Sequence, residues 1–291
     1  MYEKVNQFHP DKVADRIAGA IVDMAYERSE GGLELSNPRI AVEVLLGHGR
    51  VYVTVETSLG RPEMTLTDID NIVKRIVGKN IYTDLQIVPQ DMFLSENQRN
   101  GLRCGDNGIF CGCPVTHEQD LLAEFCAELT ESYPFDGKYI LDGERLIICQ
   151  SNADEKDLRQ FVSDFELSTQ KEFKEVIINP LGYWTGGADV DCGCTNRKLG
   201  SDMGDAVTGG GLHGKDLSKA DVSVNIVCHQ MAQNLHQRVT ACTAIGDEKV
   251  FFRFEDGDIE EMPFSKVVER ARQYIINQFG SFEKFACTGL I

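Results

Sequence analysis

The sequence predicts an α+β protein built from three related units, each with a mixed or antiparallel sheet and helices on one face. Three observations carry that expectation. Hairpin-then-helix patterns recur about three times along the chain, and no Gly/Ser or proline linker separates them, so the units should pack closely. The chain has 291 residues, 42% of them hydrophobic and 26% charged, which suits a soluble protein with a large core. We draw the units at 1–99, 100–182 and 183–291.

The elements follow from local pattern. His9-Pro10-Asp11-Lys12 opens an amphipathic helix with Val13, Ile17, Ile21 and Met24 at helical spacing, and proline is tolerated in a first turn. Arg39–Leu46 and Val51–Thr57 flank the turn Gly47-His48-Gly49-Arg50 and read as a hairpin. Its second strand points Val51, Val53 and Val55 one way and Tyr52, Thr54 and Glu56 the other. Glu43 interrupts the apolar run AVEVLL and must be exposed, paired or bound to a cation. Thr65-x-x-Asp68 resembles a capping box before a helix with Ile69, Ile72, Val73 and Ile76 on one side.

Residues 91–104 are polar and punctuated by Gly and Asn, the composition of a loop, and Gly105-Asp106-Asn107-Gly108 reads as a tight turn. A helix from about His117 buries Leu121, Leu122, Phe125 and Leu129. Asp136-Gly137-Lys138 leads into a hairpin turned at Asp142-Gly143, then a helix near Glu155–Leu167 and a strand at Glu175–Asn179. Beyond Asp221 come a helix through His236, strands at Val239–Ile245 and Val250–Glu255, and a helix from Ser265 to Phe279. His229 and His236 read as packing or surface residues on that penultimate helix.

The formal charge of −17 argues against nucleic-acid and anionic-membrane partners. No apolar run reaches membrane-spanning length, and the start MYEKVNQFHPDK lacks the hydrophobic core of a signal peptide, so the expected location is the cytoplasm. Ten cysteines in a chain of this length and context are expected to be mostly reduced and buried. The triplets Cys111–Cys113 and Cys192–Cys194 fall outside the C-x₂₋₄-C spacing usual for structural zinc.

Gly209, Gly210 and Gly211 leave a bend with no side chains to hold a ligand away, and Lys215, Asp216, Lys219 and Asp221 follow. Lysines after such a bend suit phosphate oxygens and a carboxylate suits Mg²⁺. A solvated surface loop has the same composition, and the Walker A spacing is not met because Asp216 follows Lys215. After Asn179-Pro180-Leu181-Gly182, Tyr183 and Trp184 offer aromatic planes for a purine, or for plain packing.

Taken together, these stretches resemble one family, the S-adenosylmethionine synthetases. HPDK at 9–12, the glutamates in AVEV and VTVETS, Gln98, GDNG at 105–108, Asp136-x-Lys138, NPLG at 179–182, GGADVDCGCTNRK at 186–198 and GGGLHGKDLSKAD at 209–221 stand in the family's order. The resemblance implies the family fold, three units around a pseudo-threefold axis. It also implies an activity: methionine sulfur attacks C5′ of ATP in one SN2 step, and the expelled triphosphate is hydrolysed to pyrophosphate and phosphate. His9, Lys138, Arg197, Lys198 and Lys215 match the triphosphate contacts, His9 and Lys138 nearest the breaking bond. Asp11 and Asp221 match the carboxylates of two Mg²⁺ ions per site, and Glu43 the K⁺ ligand. Glu56, Gln98, Asp106, Asp191 and Lys219 match the methionine contacts, Asp191 also facing ATP. Asp136 matches an adenosine contact, and adenine stacking falls to Tyr183 or Trp184. The implied assembly is a homodimer with interfacial sites, or a tetramer of such dimers.

The chain departs from the family pattern in places. Asn6-Gln7-Phe8 replaces Ser-Glu-Gly before HPDK, Val222 replaces an arginine, and the segments 98–105 and 182–186 are shortened. It reads as a compact, divergent member. Two alternatives go with these departures: a tripolyphosphatase or adenosyltransferase using another acceptor, and a non-catalytic regulatory subunit of a host synthetase.

Overall fold

The computed structural model describes residues 1–59, 64–97 and 107–291. In chain order, β1 (Tyr2–Val5) precedes α1 (Pro10–Glu27) and the single turn α2 (Gly32–Leu35). The hairpin β2 (Ile40–Gly47) and β3 (Arg50–Thr57) turns at His48 and Gly49, both at positive φ, the geometry that matches strand twist. Next come α3 (Leu66–Val77), β4 (Tyr82–Pro89), α4 (Met92–Asn97), β5 (Gly108–Gly112) and α5 (His117–Ser132). A second hairpin, β6 (Gly137–Asp142) and β7 (Arg145–Gln150), is followed by α6 (Glu155–Thr169) and β8 (Glu175–Ile178). Then β9 (Gly193–Cys194), α7 (Leu199–Met203) and α8 (Ala220–Leu235) lead to β10 (Val239–Thr243), β11 (Lys249–Phe254) and β12 (Ile259–Pro263). Helices α9 (Phe264–Gln278) and α10 (Phe282–Thr288) complete the chain.

The strands form three four-stranded sheets with one plan: β1-β6-β7-β8, β9-β2-β3-β4 and β5-β10-β11-β12. In each, a hairpin forms the two central strands, and a strand from a distant part of the chain pairs antiparallel with the hairpin's first strand. In the first two, a helix then returns a fourth strand parallel to the hairpin, β8 beside β7 and β4 beside β3. The third closes with β12 antiparallel to β11 before its helix. This is the α+β architecture expected from the hairpin-then-helix pattern. Because β1, β5 and β9 cross between sheets, the sheets are stitched to one another by the chain itself.

Local signals placed the helices well. Thr65 and Asp68 form the reciprocal capping box at α3, and Thr116 and Gln119 do the same at α5. Several features differ from expectation. Met92–Asn97 is a short helix where composition suggested loop, and the strands β1, β4, β5, β9 and β12 and the helices α2, α7 and α10 were not anticipated. The strand of β12 alternates weakly because charged Glu260 and Glu261 cover an exposed edge.

Helices α1 and α8 are buried nearly all round and lie at the centre of the larger core, with α3, α9 and the sheets of β2 and β10. A separate core joins α5 and α6 to the sheet of β6, with Phe125 edge-on to Tyr139 and Phe165. Helix α10 rests on α1 at Gly19, where a Cβ would come 2.6 Å from the Phe282 carbonyl oxygen. Asp23 accepts the Phe282 and Glu283 N–H groups and so caps α10 from outside.

The core also holds charge. Lys12 donates to both oxygens of buried Asp202 at 2.6 Å, and the imidazole of His213 lies 2.9 Å from Asp202 Oδ2. Asp15 stands 3.8 Å from Lys12, and burial pushes its carboxyl up to about 6. Burial would raise Asp202 too, but Lys12 and His213 outweigh it and hold Asp202 below the usual carboxylate range. Asp15, Asp202 and His213 cluster closely enough to hold a metal. The Lys12 ammonium already meets both Asp202 oxygens, so the cluster is a buried ion-pair network, in which Asp15 Oδ2 and His213 Nδ1 have no hydrogen-bond partner.

Two outcomes follow from these contacts. Lys12→Met removes the cation and leaves Asp202 without its charge partner in the core. It is expected to cost about 3–5 kcal/mol in urea unfolding, and wild-type stability in that variant would contradict the network. His229 on α8 packs edge-on to Tyr274, and burial lowers it from 6.5 to about 4. Its neutral form contributes fully above pH 6.5, and that contribution is lost as pH falls toward 4, up to about 3 kcal/mol at ~1.4 kcal/mol per unit. His229→Leu should lose that much less stability than wild type between pH 7 and pH 4; identical slopes would contradict the assignment.

Candidate active site

The site residues gather in two groups. The first surrounds the N-terminus of α1. His9 is the N-cap, and its Nδ1 accepts the Asp11 N–H at 3.1 Å, which leaves Nε2 to carry the proton of the neutral ring. Burial lowers His9 to about 4, with Lys198 and Lys138 adding to the shift and Asp11 opposing it, so the ring is a neutral donor at pH 7.

Asp11 is buried and fully engaged. Its Oδ1 accepts the Cys194 N–H at 2.8 Å, Lys198 Nζ lies 2.6 Å from Oδ2, and Arg197 Nε is 3.5 Å away. The strand β9 reaches the helix start only because residue 193 is glycine: a Cβ there would lie 2.2 Å from the Pro10 carbonyl carbon. The next turn repeats the contact, with the Asn196 N–H donating to Asp15 Oδ1 at 2.8 Å.

Asp136 and Lys138 approach the same place from β6 and the residue before it. Lys138 pairs with Glu3 on β1 at 2.6 Å. Asp136 accepts the Gly187 N–H at 3.2 Å, and burial pushes its carboxyl up to about 6, with Asp191 and Asp11 adding to the rise. Asp191 is exposed and accepts the Cys192 N–H at 2.7 Å. Trp184 is fastened: its Nε1 donates to Asn179 Oδ1 at 3.1 Å and its ring packs on Gly186 beside Asp136. Tyr183 is 62% exposed.

The second group lies along β2 and the glycine-rich stretch. Lys215 bridges Ala41 through the backbone, and its Nζ lies 2.7 Å from Asp221 Oδ2. Gly210, at φ +95°, passes so close to Asp221 that a Cβ would lie 2.5 Å from its Oδ1. Glu56 and Lys219 line one small pocket with Arg39 and Gln90. Glu43 is exposed on the outer face of β2 and accepts the Thr195 hydroxyl, satisfying the sequence requirement that it be exposed or paired.

Some expectations are resolved differently. Asp216 is no ligand candidate, since its carboxylate accepts the Ile40 and Ser218 N–H groups inside the core. Lys12, the last residue of HPDK, points into the core network. Val222 is fully buried in α8, where an unpaired arginine would be costly. Gln98 and Asp106 lie outside the described residues. The cysteine triplets lie by different sheets, one at the end of β5 and the other at the start of β9, with the Cys111 and Cys113 sulfurs 3.7 Å apart. Among the described residues, no helix is long and apolar enough to cross a membrane.

Asp11 and Asp221 offer the hard carboxylate oxygens that Mg²⁺ takes, but each holds a lysine, Lys198 and Lys215, that a metal there would have to displace. Glu43 offers the same chemistry to a larger cation. Asn196 and Thr195, which carry much of the site's bonding, were not singled out from sequence; the one available signal was an asparagine beside two cations.

Comparison with known proteins finds similar sequences and a similar fold. Residues 1–95 match the family model described as S-adenosylmethionine synthetase, N-terminal domain. S-adenosylmethionine synthase 2 of Rhodopseudomonas palustris (strain BisB18) is 27% identical, over 80% of this chain and 73% of that protein. The S-adenosylmethionine synthase of Hyphomonas neptunium (strain ATCC 15444) is 25% identical over 80% and 72%. The structure of an unusual S-adenosylmethionine synthetase from Campylobacter jejuni superposes with a TM-score of 0.72 at 18% identity, covering 100% of this chain and 95% of that one. With matching motifs, sheets and relatives in hand, this chain is a distant relative of the S-adenosylmethionine synthetases, its residues 1–95 matching the model of their N-terminal domain.

Proposed function

We propose that the protein synthesises S-adenosylmethionine from ATP and L-methionine and hydrolyses the expelled triphosphate to pyrophosphate and phosphate. The observation that carries this reading is the meeting of His9, Asp11, Arg197, Lys198 and Lys138 around one helix start, cations and a carboxylate in the combination a metal-bound polyphosphate needs. In the step itself the sulfur lone pair forms the bond to C5′, and the C5′–O pair leaves with the triphosphate. No base is required; the barrier falls when the developing charge is met.

His9 donates from Nε2 to the leaving oxygen, and Lys138, released from Glu3, brings positive charge to the same atom. Arg197, Lys198 and Lys215 hold the remaining phosphate oxygens. Asp11 and Asp221 are the Mg²⁺ carboxylates and Glu43 the K⁺ ligand; bound cations would neutralise the polyphosphate further. Asp136 takes the adenosine, and Tyr183, the exposed aromatic, stacks on adenine while Trp184 stays fastened. Glu56, Lys219 and Asp191, with Gln98 and Asp106, receive methionine, its ammonium at the carboxylates and its carboxylate at the lysine.

A second copy would bring the two groups together. The outer faces of two sheets leave Leu45, Tyr52 and Tyr82, and Ile109 and Phe251, exposed, which supports a homodimer with the site between copies. Expected surroundings are cytoplasmic.

The deciding experiment is mass detection of S-adenosylmethionine after incubation with ATP, methionine, Mg²⁺ and K⁺. Triphosphate cleavage without a sulfonium product would instead favour a tripolyphosphatase. Lys138→Met should lower sulfonium formation by about 10²–10³-fold with ATP binding still measurable; unchanged turnover would remove Lys138 from the chemistry. Asp11→Asn should raise the Mg²⁺ concentration for half-maximal activity about tenfold, and an unchanged titration would take Asp11 off the metal set.

A further inference from the structure

The cysteine triplet at the end of β5 is a sequence feature to which the proposed function gives no task. The Cys111 and Cys113 sulfurs lie 3.7 Å apart, in contact, and both thiols are free. Cys111 is fully buried, while Cys113 is half-buried. β5 is an edge strand of its sheet, and Cys113 directly follows its last residue, Gly112. There the Gln233 side chain of α8 clamps the chain: Nε2 donates to the Cys113 carbonyl at 2.9 Å, and Oε1 accepts the Val115 N–H at 2.9 Å. Packing alone accounts for Gly112, since a Cβ there would come 2.1 Å from the Cys228 carbonyl oxygen. It does not account for a thiol on either side.

Arg238 completes the group. Its Nε donates to Cys111 Sγ at 3.2 Å, and the two sulfurs, Cys111 first, hold the guanidinium above the usual arginine value. A cation beside one sulfur and an opening to solvent at the other is an environment in which cysteines react. Residues two apart in an extended chain are about 6.6 Å apart, inside the Cα separation of up to about 6.8 Å that a disulfide spans. We propose that Cys111 and Cys113 form a reversible thiol–disulfide site, oxidised by small peroxides and reduced by thiols. The site does not depend on the proposed function.

Cys113 is the sulfur a small oxidant reaches. Burial, with Cys111 adding to it, pushes its thiol up to about 12, so Cys113 meets the oxidant as the thiol and sheds its proton in the step. Its sulfur bonds one oxygen of hydrogen peroxide as the O–O bond breaks, the proton leaves with the other oxygen as water, and a sulfenic acid remains. The Cys111 sulfur then bonds the Cys113 sulfur, the S–O bond breaks, and the Cys111 proton departs with the hydroxyl as a second water. Two thiols and one peroxide thus give a disulfide and two waters. Exchange with two equivalents of a thiol reductant reverses the change. The alternative is a pair of packing thiols that touch without reacting together.

The test treats the reduced full-length protein with hydrogen peroxide, blocks the remaining thiols with iodoacetamide in urea, and cleaves with chymotrypsin. Cleavage after Phe110 and Phe125 gives a peptide that begins at Cys111 and holds Cys113 but no other cysteine. That peptide is expected to be two hydrogens lighter than its dithiol form and closed to iodoacetamide, with both thiols restored by dithiothreitol. In Cys111→Ser, dimedone should trap Cys113 as its sulfenic acid, and Arg238→Gln should slow closure about tenfold. A wild-type peptide that takes up two iodoacetamide groups at peroxide levels that oxidise the exposed Cys192 and Cys242 would overturn the proposal. So would Cys113 joined to another cysteine, or carried to sulfinic or sulfonic acid with no disulfide formed. These outcomes are read on the wild-type protein and stand whether or not either variant folds. Closure at the wild-type rate in folded Arg238→Gln would remove Arg238 from the site.

Discussion

The structure depends on how the segment 193–198 lies along α1. The Cys194 N–H donates to Asp11 and the Asn196 N–H to Asp15, both at 2.8 Å. The chain leaves its two-residue strand at Cys194 and turns at Thr195 and Asn196, and in doing so presents two N–H groups to two buried helix carboxylates in succession. The same segment pairs with β2 through Gly193 and Cys194, and Thr195 bonds the Val44 carbonyl. Helix, sheet edge and cationic arm are thereby held in one geometry, and Gly193 is the residue that allows the approach.

That geometry decides what each charge does. Lys12 and Lys198 both meet a buried carboxylate at 2.6 Å, yet Lys12 is itself sealed in the core with Asp202 while Lys198 is partly open to solvent beside Asp11. A sealed pair adds specificity to packing and has no access to a ligand. In the proposed reading a partly open pair such as Lys198 with Asp11 is exchangeable: a polyphosphate would take the lysine and a metal the carboxylate, with little net change in buried charge. Lys138 with Glu3 and Lys215 with Asp221 are also partly open. With a net charge of −17, pairing the lysines with carboxylates keeps them ordered, and in the proposed reading the anionic ligand displaces those partners.

Much of this was legible in the sequence because the signals are local. Period-two alternation gave the β2–β3 hairpin, with Glu43 and Glu56 on the outer face, and Thr65-x-x-Asp68 gave the start of α3. What was not legible is long-range. Nothing in Tyr2–Val5 or Gly108–Gly112 says which sheet they join, since an edge strand's partner is set by the packing of everything else. The task of Lys12 was hidden for the same reason: its partner Asp202 is 190 residues away. Asp216 looked like a metal ligand by composition, and only its bonds to Ile40 and Ser218 place it inside. The residues of 98–106, including Gln98 and Asp106, keep the standing their motif gives them.

The division of the site into two groups has a physical consequence in the proposed reading. Each group is rigid for its own reason: the first because α1, β9 and β6 converge on it, the second because Lys215 is tied to β2 and Asp221 begins α8. Within one chain both groups are also tied to β2, one through the pairing of Gly193 and Cys194 with Leu46 and Leu45 and the other through the Ala41–Lys215 bridge. A site that must close around a long, flexible, highly charged ligand benefits from rigid arms, because they lose little entropy on binding. Charge supplied by two stiff scaffolds, held to a fixed span, is what an SN2 reaction with a polyphosphate leaving group asks of a protein that offers no nucleophile of its own.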